Sequence, residues 1–89
     1  MKANEAVGAM LGAAGISQSE AARRLGMKSR GTVNSDVAGH AGAGRPRGMT
    51  VSKLLAYARL CGYSVQLVPS DPSRPPLCVD DVNSGSRLP

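Results

Sequence analysis

The sequence is poor in aromatic residues. Among its 89 residues it has no Phe and no Trp, and Tyr57 and Tyr63 are its two tyrosines. The apolar residues are mainly Ala, Val, Leu and Met, and burying their side chains contributes only about 25 cal/mol per Å². Eleven glycines add conformational entropy to the unfolded chain. These features exclude a large aromatic core and predict one small domain that gains stability from burial against a second copy.

Residues that carry out most enzymatic chemistry are also scarce. The chain has one histidine, His40, and two cysteines, Cys61 and Cys78. They are too few for a disulfide framework and lack the spacing of a metal site. There is no phosphate-binding loop and no nucleophile paired with a base and an orienting acid. We therefore expect no enzymatic activity, no catalytic residue, no cofactor and no bound metal.

Long apolar runs are absent as well. No stretch approaches the roughly 18 residues that a membrane-spanning helix needs, and the N-terminus lacks the pattern of a signal peptide. Two unpaired cysteines also suit a reducing compartment. These features predict a cytoplasmic protein that makes no membrane contact.

Acidic residues are outnumbered by basic ones. The chain has 11 Lys and Arg against 6 Asp and Glu, which gives a formal net charge of +5. Nine of the basic residues but only three of the acidic ones lie in residues 1–69, whereas residues 70–89 carry a small excess of acid. This clustering predicts a polyanionic partner, double-stranded DNA above all. A surface whose charge only keeps the protein soluble is the alternative that net charge does not exclude.

Residues 16–37 form the most informative segment. Ser17 is predicted to cap a short helix over residues 18–25, and Glu20 follows three residues later, as in a capping box. Gly26 can adopt the left-handed conformation that ends a helix and turns the chain. The pattern therefore predicts two short helices joined by a tight turn.

The second helix of this pair has Val33 and Val37 four residues apart, so both side chains can face inward. The pair resembles the helix-turn-helix of the lambda repressor/Cro-like family, in its small repressor or antitoxin-type members. The resemblance covers about residues 3–68 and implies a mainly α fold, a four-helix bundle that binds DNA. A helical hairpin without DNA contacts is the alternative. The matching residues are Ser17, Gln18, Ala22, Leu25, Gly26 and the valine after the turn.

One position departs from the family. The buried aliphatic residue usually comes six residues after the glycine, where this chain has Thr32, and Val33 comes one later. Either the turn is one residue longer or the second helix is rotated. Polar and cationic side chains on the outer face suit base edges and phosphates. The residues expected to read bases are Arg30, Thr32, Asn34 and Ser35. The residues expected to bind phosphates are Ser17, Gln18, Lys28, Ser29, Arg45 and Arg47.

Helices are also predicted on both sides of this pair. Apolar residues recur every three or four positions over residues 3–14 and again over residues 51–61, where Thr50 or Ser52 can provide the cap. A glycine-rich loop that contains Arg45 and Arg47 lies between the second helix of the pair and the helix over residues 51–61. This loop is either an arm that approaches the DNA backbone or minor groove, or a linker with incidental charges.

The C-terminal part of the chain is predicted to contain one strand. Residues 63–68 alternate apolar and polar side chains and end at Pro69. A single strand is not stable alone, and no other segment has a clear strand pattern. We therefore expect Tyr63, Val65 and Leu67 to lie in a strand that pairs with its counterpart in a two-fold dimer.

The chain is predicted to have two regions. A helix-turn-helix domain with its C-terminal strand covers residues 1–69. Residues 70–89 are rich in Pro, Ser and Asp and are expected to be a disordered tail.

Two functions remain open from the sequence. The first is a sequence-specific DNA-binding transcriptional regulator that acts as a homodimer on a palindromic operator. The alternative is a small inhibitor of the anti-CRISPR type, encoded by a phage or mobile element, or an antitoxin. Such a protein would bind a host-defence nuclease or a toxin through its basic face or through the tail.

Overall fold

The computed structural model describes residues 1–41, 45–46 and 48–81, with Ala41, Arg45 and Pro46 described by their backbone only. This part of the chain is mainly helical and contains four α-helices and two short antiparallel sheets, which confirms the predicted mainly α class. The helices are α1 (Ala3–Ala14), α2 (Gln18–Arg24), α3 (Arg30–Ala38) and α4 (Val51–Cys61). The strands are β1 (His40–Ala41), β2 (Arg45–Pro46), β3 (Val65–Leu67) and β4 (Leu77–Val79).

Helix α1 follows the predicted periodicity, since it buries Val7, Met10 and Leu11. Gly8 lies where α1 passes close to α3: a Cβ at this position would be 3.3 Å from Val37 Cγ1. A side chain there would crowd Val37, so Gly8 allows α1 and α3 to pack closely.

The first turn of α4 is capped by Thr50, whose Oγ1 accepts a hydrogen bond of 3.1 Å from the Lys53 amide. The helix buries Leu55, Tyr57 and Ala58. Tyr57 is fully buried at the centre of the core. Its burial was not predicted, because the sequence pattern assigned the inner face of this helix to its aliphatic residues.

The core lies between α1, the α2–α3 pair and α4, with the most extensive helix packing between α1 and α4 and between α2 and α3. It consists of small aliphatic residues around one tyrosine, as the composition suggested. None of the helices in the described ranges is long and apolar enough to cross a lipid bilayer. The buried hydrophobic residues are Val7, Met10, Leu11, Ala21, Ala22, Val33, Leu55, Tyr57 and Ala58.

The pairing of the C-terminal strand differs from the prediction. Strand β3 pairs antiparallel with β4 of the same chain, with Val65 opposite Val79 and Leu67 opposite Leu77. Pairing with a second copy was inferred because no other segment had a strand pattern, and that premise was wrong. Residues 77–79 also have regular structure within a tail that was expected to have none. The local sequence misleads here because prolines and serines surround a strand of only three residues.

Candidate nucleic-acid interface

The α2–α3 pair begins with the predicted cap. Ser17 Oγ accepts a hydrogen bond of 3.1 Å from the Glu20 amide, which satisfies one of the free N–H groups in the first turn of α2. Five residues separate α2 from α3. Within them Gly26 has a φ of 69°, a left-handed conformation that a residue with a Cβ adopts only at a cost. The turn predicted at Gly26 is therefore present.

Helix α3 has a buried face and an exposed face. Val33 and Asp36 are buried and Val37 is half-buried. Thus Val33, one residue later than the family pattern, takes the inward position. Arg30 and Asn34 are exposed, and because they are four residues apart they are neighbours on the outer surface of the helix.

The other two residues expected to read bases are less accessible. Thr32 and Ser35 are both half-buried. Gly31 and Ala38, which the sequence gave no reason to select, are exposed on α3. The exposed surface of α3 therefore combines one cation and one amide with small residues that allow close approach to a surface.

Asp36 is a buried polar residue that the sequence analysis did not single out. Its side chain is 0% exposed, and its Oδ2 accepts a hydrogen bond of 2.6 Å from the Tyr57 hydroxyl. Lys53 Nζ lies 3.3 Å from the same oxygen. A buried carboxylate needs such donors, since an ion without them is costly in the interior. The signal was available: Asp36 comes three residues after Val33, and therefore lies on the buried face.

Two of the basic residues near the interface are compensated by an acid. The Glu20 carboxylate accepts hydrogen bonds from both Arg23 and Arg24, with 2.6 Å between Arg24 Nε and Glu20 Oε2. The side-chain hydrogen bond from Arg23, followed by that from Arg24, lowers the pKa of Glu20 below its usual value. This cluster therefore contributes one net positive charge instead of two.

The turn before α3 presents charge without such compensation. Lys28 and Arg30 are exposed, and neither takes part in any of the ion pairs found within the described ranges. Ser29 is the N-cap residue of α3, and its side chain makes no capping hydrogen bond. Two cations and a hydroxyl thus surround the positive end of the α3 dipole, an arrangement that attracts anions.

The other residues that are expected to bind phosphates differ in how their side chains are placed. Ser17 uses its hydroxyl in the α2 cap. Gln18 is half-buried, and its Oε1 is buried without a hydrogen-bond donor in the part of the chain that is described. The backbone of Arg45 lies in β2, but its side chain and the whole of Arg47 lie outside the described residues.

Of the three residues expected at a dimer strand, Val65 and Leu67 lie in β3, whereas Tyr63 precedes the strand. Tyr63 is 48% and Leu67 59% exposed, and Leu77, opposite Leu67, is 62% exposed. Val65 is half-buried against the helical core. The outer end of this sheet is therefore an exposed apolar surface, separate in sequence from α3.

No cluster of three or more His, Cys, Asp or Glu that could hold a metal ion occurs among the described residues. No protein-family model, curated protein or solved structure matches this chain.

Proposed function

We propose that this protein is a sequence-specific DNA-binding regulator that uses α3 as its recognition helix. The observation that carries the proposal is the division of α3 into two faces. Val33 and Asp36 anchor one face in the core, while Arg30 and Asn34 are exposed together on the surface. A helix held on one side and polar on the other can enter the major groove of DNA.

Arg30 and Asn34 suit base edges by their chemistry. Arginine donates two hydrogen bonds to the O6 and N7 of guanine, and asparagine pairs with the N6 and N7 of adenine. Four helical residues rise about 6 Å, which is roughly two base-pair steps of about 3.4 Å each. The two side chains can therefore read nearby base pairs, while Thr32 and Ser35 lie at the edges of the contact.

Phosphate contacts are assigned to the residues around this helix. Lys28 and Ser29 lie at its positive N-terminal end, where phosphates are bound by both charge and free N–H groups. Arg45 and Arg47 belong to the same proposal through their charge and their glycine-rich surroundings in the sequence. Such contacts set the register on DNA without reading its sequence.

We include homodimerisation in the proposal. Two recognition helices related by a two-fold axis would reach half-sites about 34 Å apart. The exposed apolar side chains of Leu67 and Leu77 on the β3–β4 sheet, and of Tyr63 before it, support burial of this part of the surface against a second copy. The contact differs from the one first expected, because one edge of β3 is already paired with β4.

An apolar groove that shares Tyr63 with this surface favours the alternative function, a small inhibitor or antitoxin that binds a protein partner. Met1, Leu54 and Tyr63 line a groove that is mostly apolar and lies beside β3. A partner bound there would leave α3 exposed. Binding that persists after nuclease treatment, and that is lost in Leu54→Asp but kept in Asn34→Ala, would support this alternative.

The test of DNA binding compares three variants on a duplex selected from a random pool. Arg30→Ala should weaken binding to this duplex by about 1–3 kcal/mol, and Asn34→Ala should relax the preference at one base pair. Arg74→Ala is the matched control, because it removes one exposed positive charge from the tail segment. An equal loss in Arg30→Ala and Arg74→Ala, or equal binding of all duplexes by the wild type, would contradict the proposal.

A further inference from the structure

We propose that Asp36 is a positioning residue for DNA reading: its carboxylate, held by Tyr57 and Lys53 of α4, fixes the rotation of α3 about its own axis. This inference rests on the proposed function. It identifies a contact between α3 and α4 that determines sequence discrimination, although Asp36 lies on the buried face of α3 and both Tyr57 and Lys53 belong to α4.

The contacts connect α3 directly to α4. The Tyr57 hydroxyl donates to Asp36 Oδ2 at 2.6 Å, and Lys53 Nζ lies 3.4 Å from Oδ1 and 3.3 Å from Oδ2. The Tyr57 hydroxyl also lies 3.8 Å from Met27 Sδ, in the turn that precedes α3. One buried side chain of α4 therefore contacts both the turn and the recognition helix.

The polar contacts of Asp36 differ from the packing of Val33 because their strength depends on direction. Val33 packs against the core through apolar contacts, which depend on area and not on direction. A hydrogen bond depends on angle as well as distance and prefers a nearly linear geometry. The Asp36 contacts therefore add a directional restraint on the rotation of α3 to the packing of Val33. A second directional contact, from Asn4 Nδ2 to the Val37 carbonyl at 3.2 Å, holds the end of the same helix.

A small rotation is enough to matter for base reading. Successive residues of a helix are separated by about 100°, so Asn34 lies on the opposite side of α3 from Asp36. With side chains extending about 5–6 Å from the axis, a rotation of 20° moves the Asn34 amide by about 2 Å. Functional constellations tolerate an error of only about 0.5 Å. Loss of the Asp36 contacts should therefore reduce discrimination between duplexes more than it reduces total binding.

The experiment measures the dissociation constant for a scrambled duplex divided by that for a selected duplex, at one salt concentration and with every variant folded. Tyr57→Phe and Asp36→Asn should lower this ratio about tenfold or more, while affinity for the scrambled duplex changes less than about threefold. Val7→Ala is the matched control: Val7 is fully buried in α1, so this variant loses stability without losing the polar contacts. It should keep the wild-type ratio.

A second readout does not depend on DNA. Hydrogen exchange of the α3 amides, relative to those of α2, should speed up in Tyr57→Phe and remain unchanged in Val7→Ala. If Asp36→Asn does not fold, Tyr57→Phe and Lys53→Met provide the test, because each removes a polar partner of Asp36 and keeps most of the volume of the replaced side chain.

The outcomes separate the two proposals. A wild-type discrimination ratio in Tyr57→Phe, or an equal loss in Val7→Ala, would overturn the positioning role while DNA binding stands. A wild-type protein that binds no duplex selectively would overturn the proposed function and the DNA-reading role with it. In that case the exchange measurement still decides whether Asp36 fixes α3.

Discussion

Replacing Tyr57 with Phe removes one oxygen atom from the centre of the protein. The lost hydroxyl donates to Asp36 Oδ2 at 2.6 Å, a length within the range of hydrogen bonds to ionised acceptors. The aromatic ring remains, so the variant creates no large cavity. The change therefore measures what the buried Tyr57 hydroxyl contributes to the free energy of unfolding, through Asp36 and through its weaker contact with Met27 Sδ at 3.8 Å.

The magnitude follows from the burial of both partners. Tyr57 is fully buried, and the Asp36 side chain is 0% exposed, so water does not replace the missing donor. Hydrogen bonds to charged groups contribute about 1.5–3 kcal/mol. We expect Tyr57→Phe to lower the free energy of unfolding by about 2 kcal/mol, a large part of the total for a domain of this size.

Urea unfolding followed by far-ultraviolet circular dichroism measures this loss, because the protein has no tryptophan. With a slope of about 1 kcal/mol per molar urea for a small domain, the midpoint should fall by about 2 M. Tyr63→Phe is the matched control, since Tyr63 is 48% exposed, and its effect should stay within about 0.5 kcal/mol. Equal effects of the two substitutions would refute the reasoning about Asp36.

Three further predictions concern the turn, the charge cluster and the cysteines. Gly26→Ala should cost about 1–2 kcal/mol in a thermal or urea unfolding experiment, because the φ of 69° is left-handed; no loss would show that the turn rearranges freely. Glu20→Gln releases its two arginine partners and should steepen the plot of log affinity for DNA against log salt by roughly one, whereas an unchanged slope would place this cluster away from DNA. Burial raises the pKa of the Cys61 thiol, while Cys78 is exposed. Iodoacetamide at pH 8 should therefore modify Cys78 first, as mass spectrometry of peptides will show, and the reverse order would contradict the fold around Cys61.

The helices could be predicted from the sequence because their signals are local. The bounds of α1 and α4 match the predicted residues 3–14 and 51–61, since apolar periodicity, a capping threonine and terminal glycines all lie within a few positions of each other. Gly26 was found for the same reason. Each of these signals depends on residues that interact within one or two helical turns.

The β3–β4 pairing and the Asp36 contacts could not be found in this way. Leu67 pairs with Leu77 across a segment of prolines and serines, and no periodicity marks a strand as short as β4. Asp36 meets Tyr57, 21 positions further along the chain. The spacing from Val33 places Asp36 on the buried face of α3, but no local pattern identifies Tyr57, which is distant in sequence, as its partner.

The central claim, that the exposed face of α3 reads DNA, is tested most directly by selecting binding sites from random duplexes at two salt concentrations. We predict enrichment of a palindromic site at both concentrations, with affinity that falls as salt rises and a preference at one position of each half-site that disappears in Asn34→Ala. Recovery of unrelated sequences, or of the same site with the same preference by Asn34→Ala, would contradict the claim.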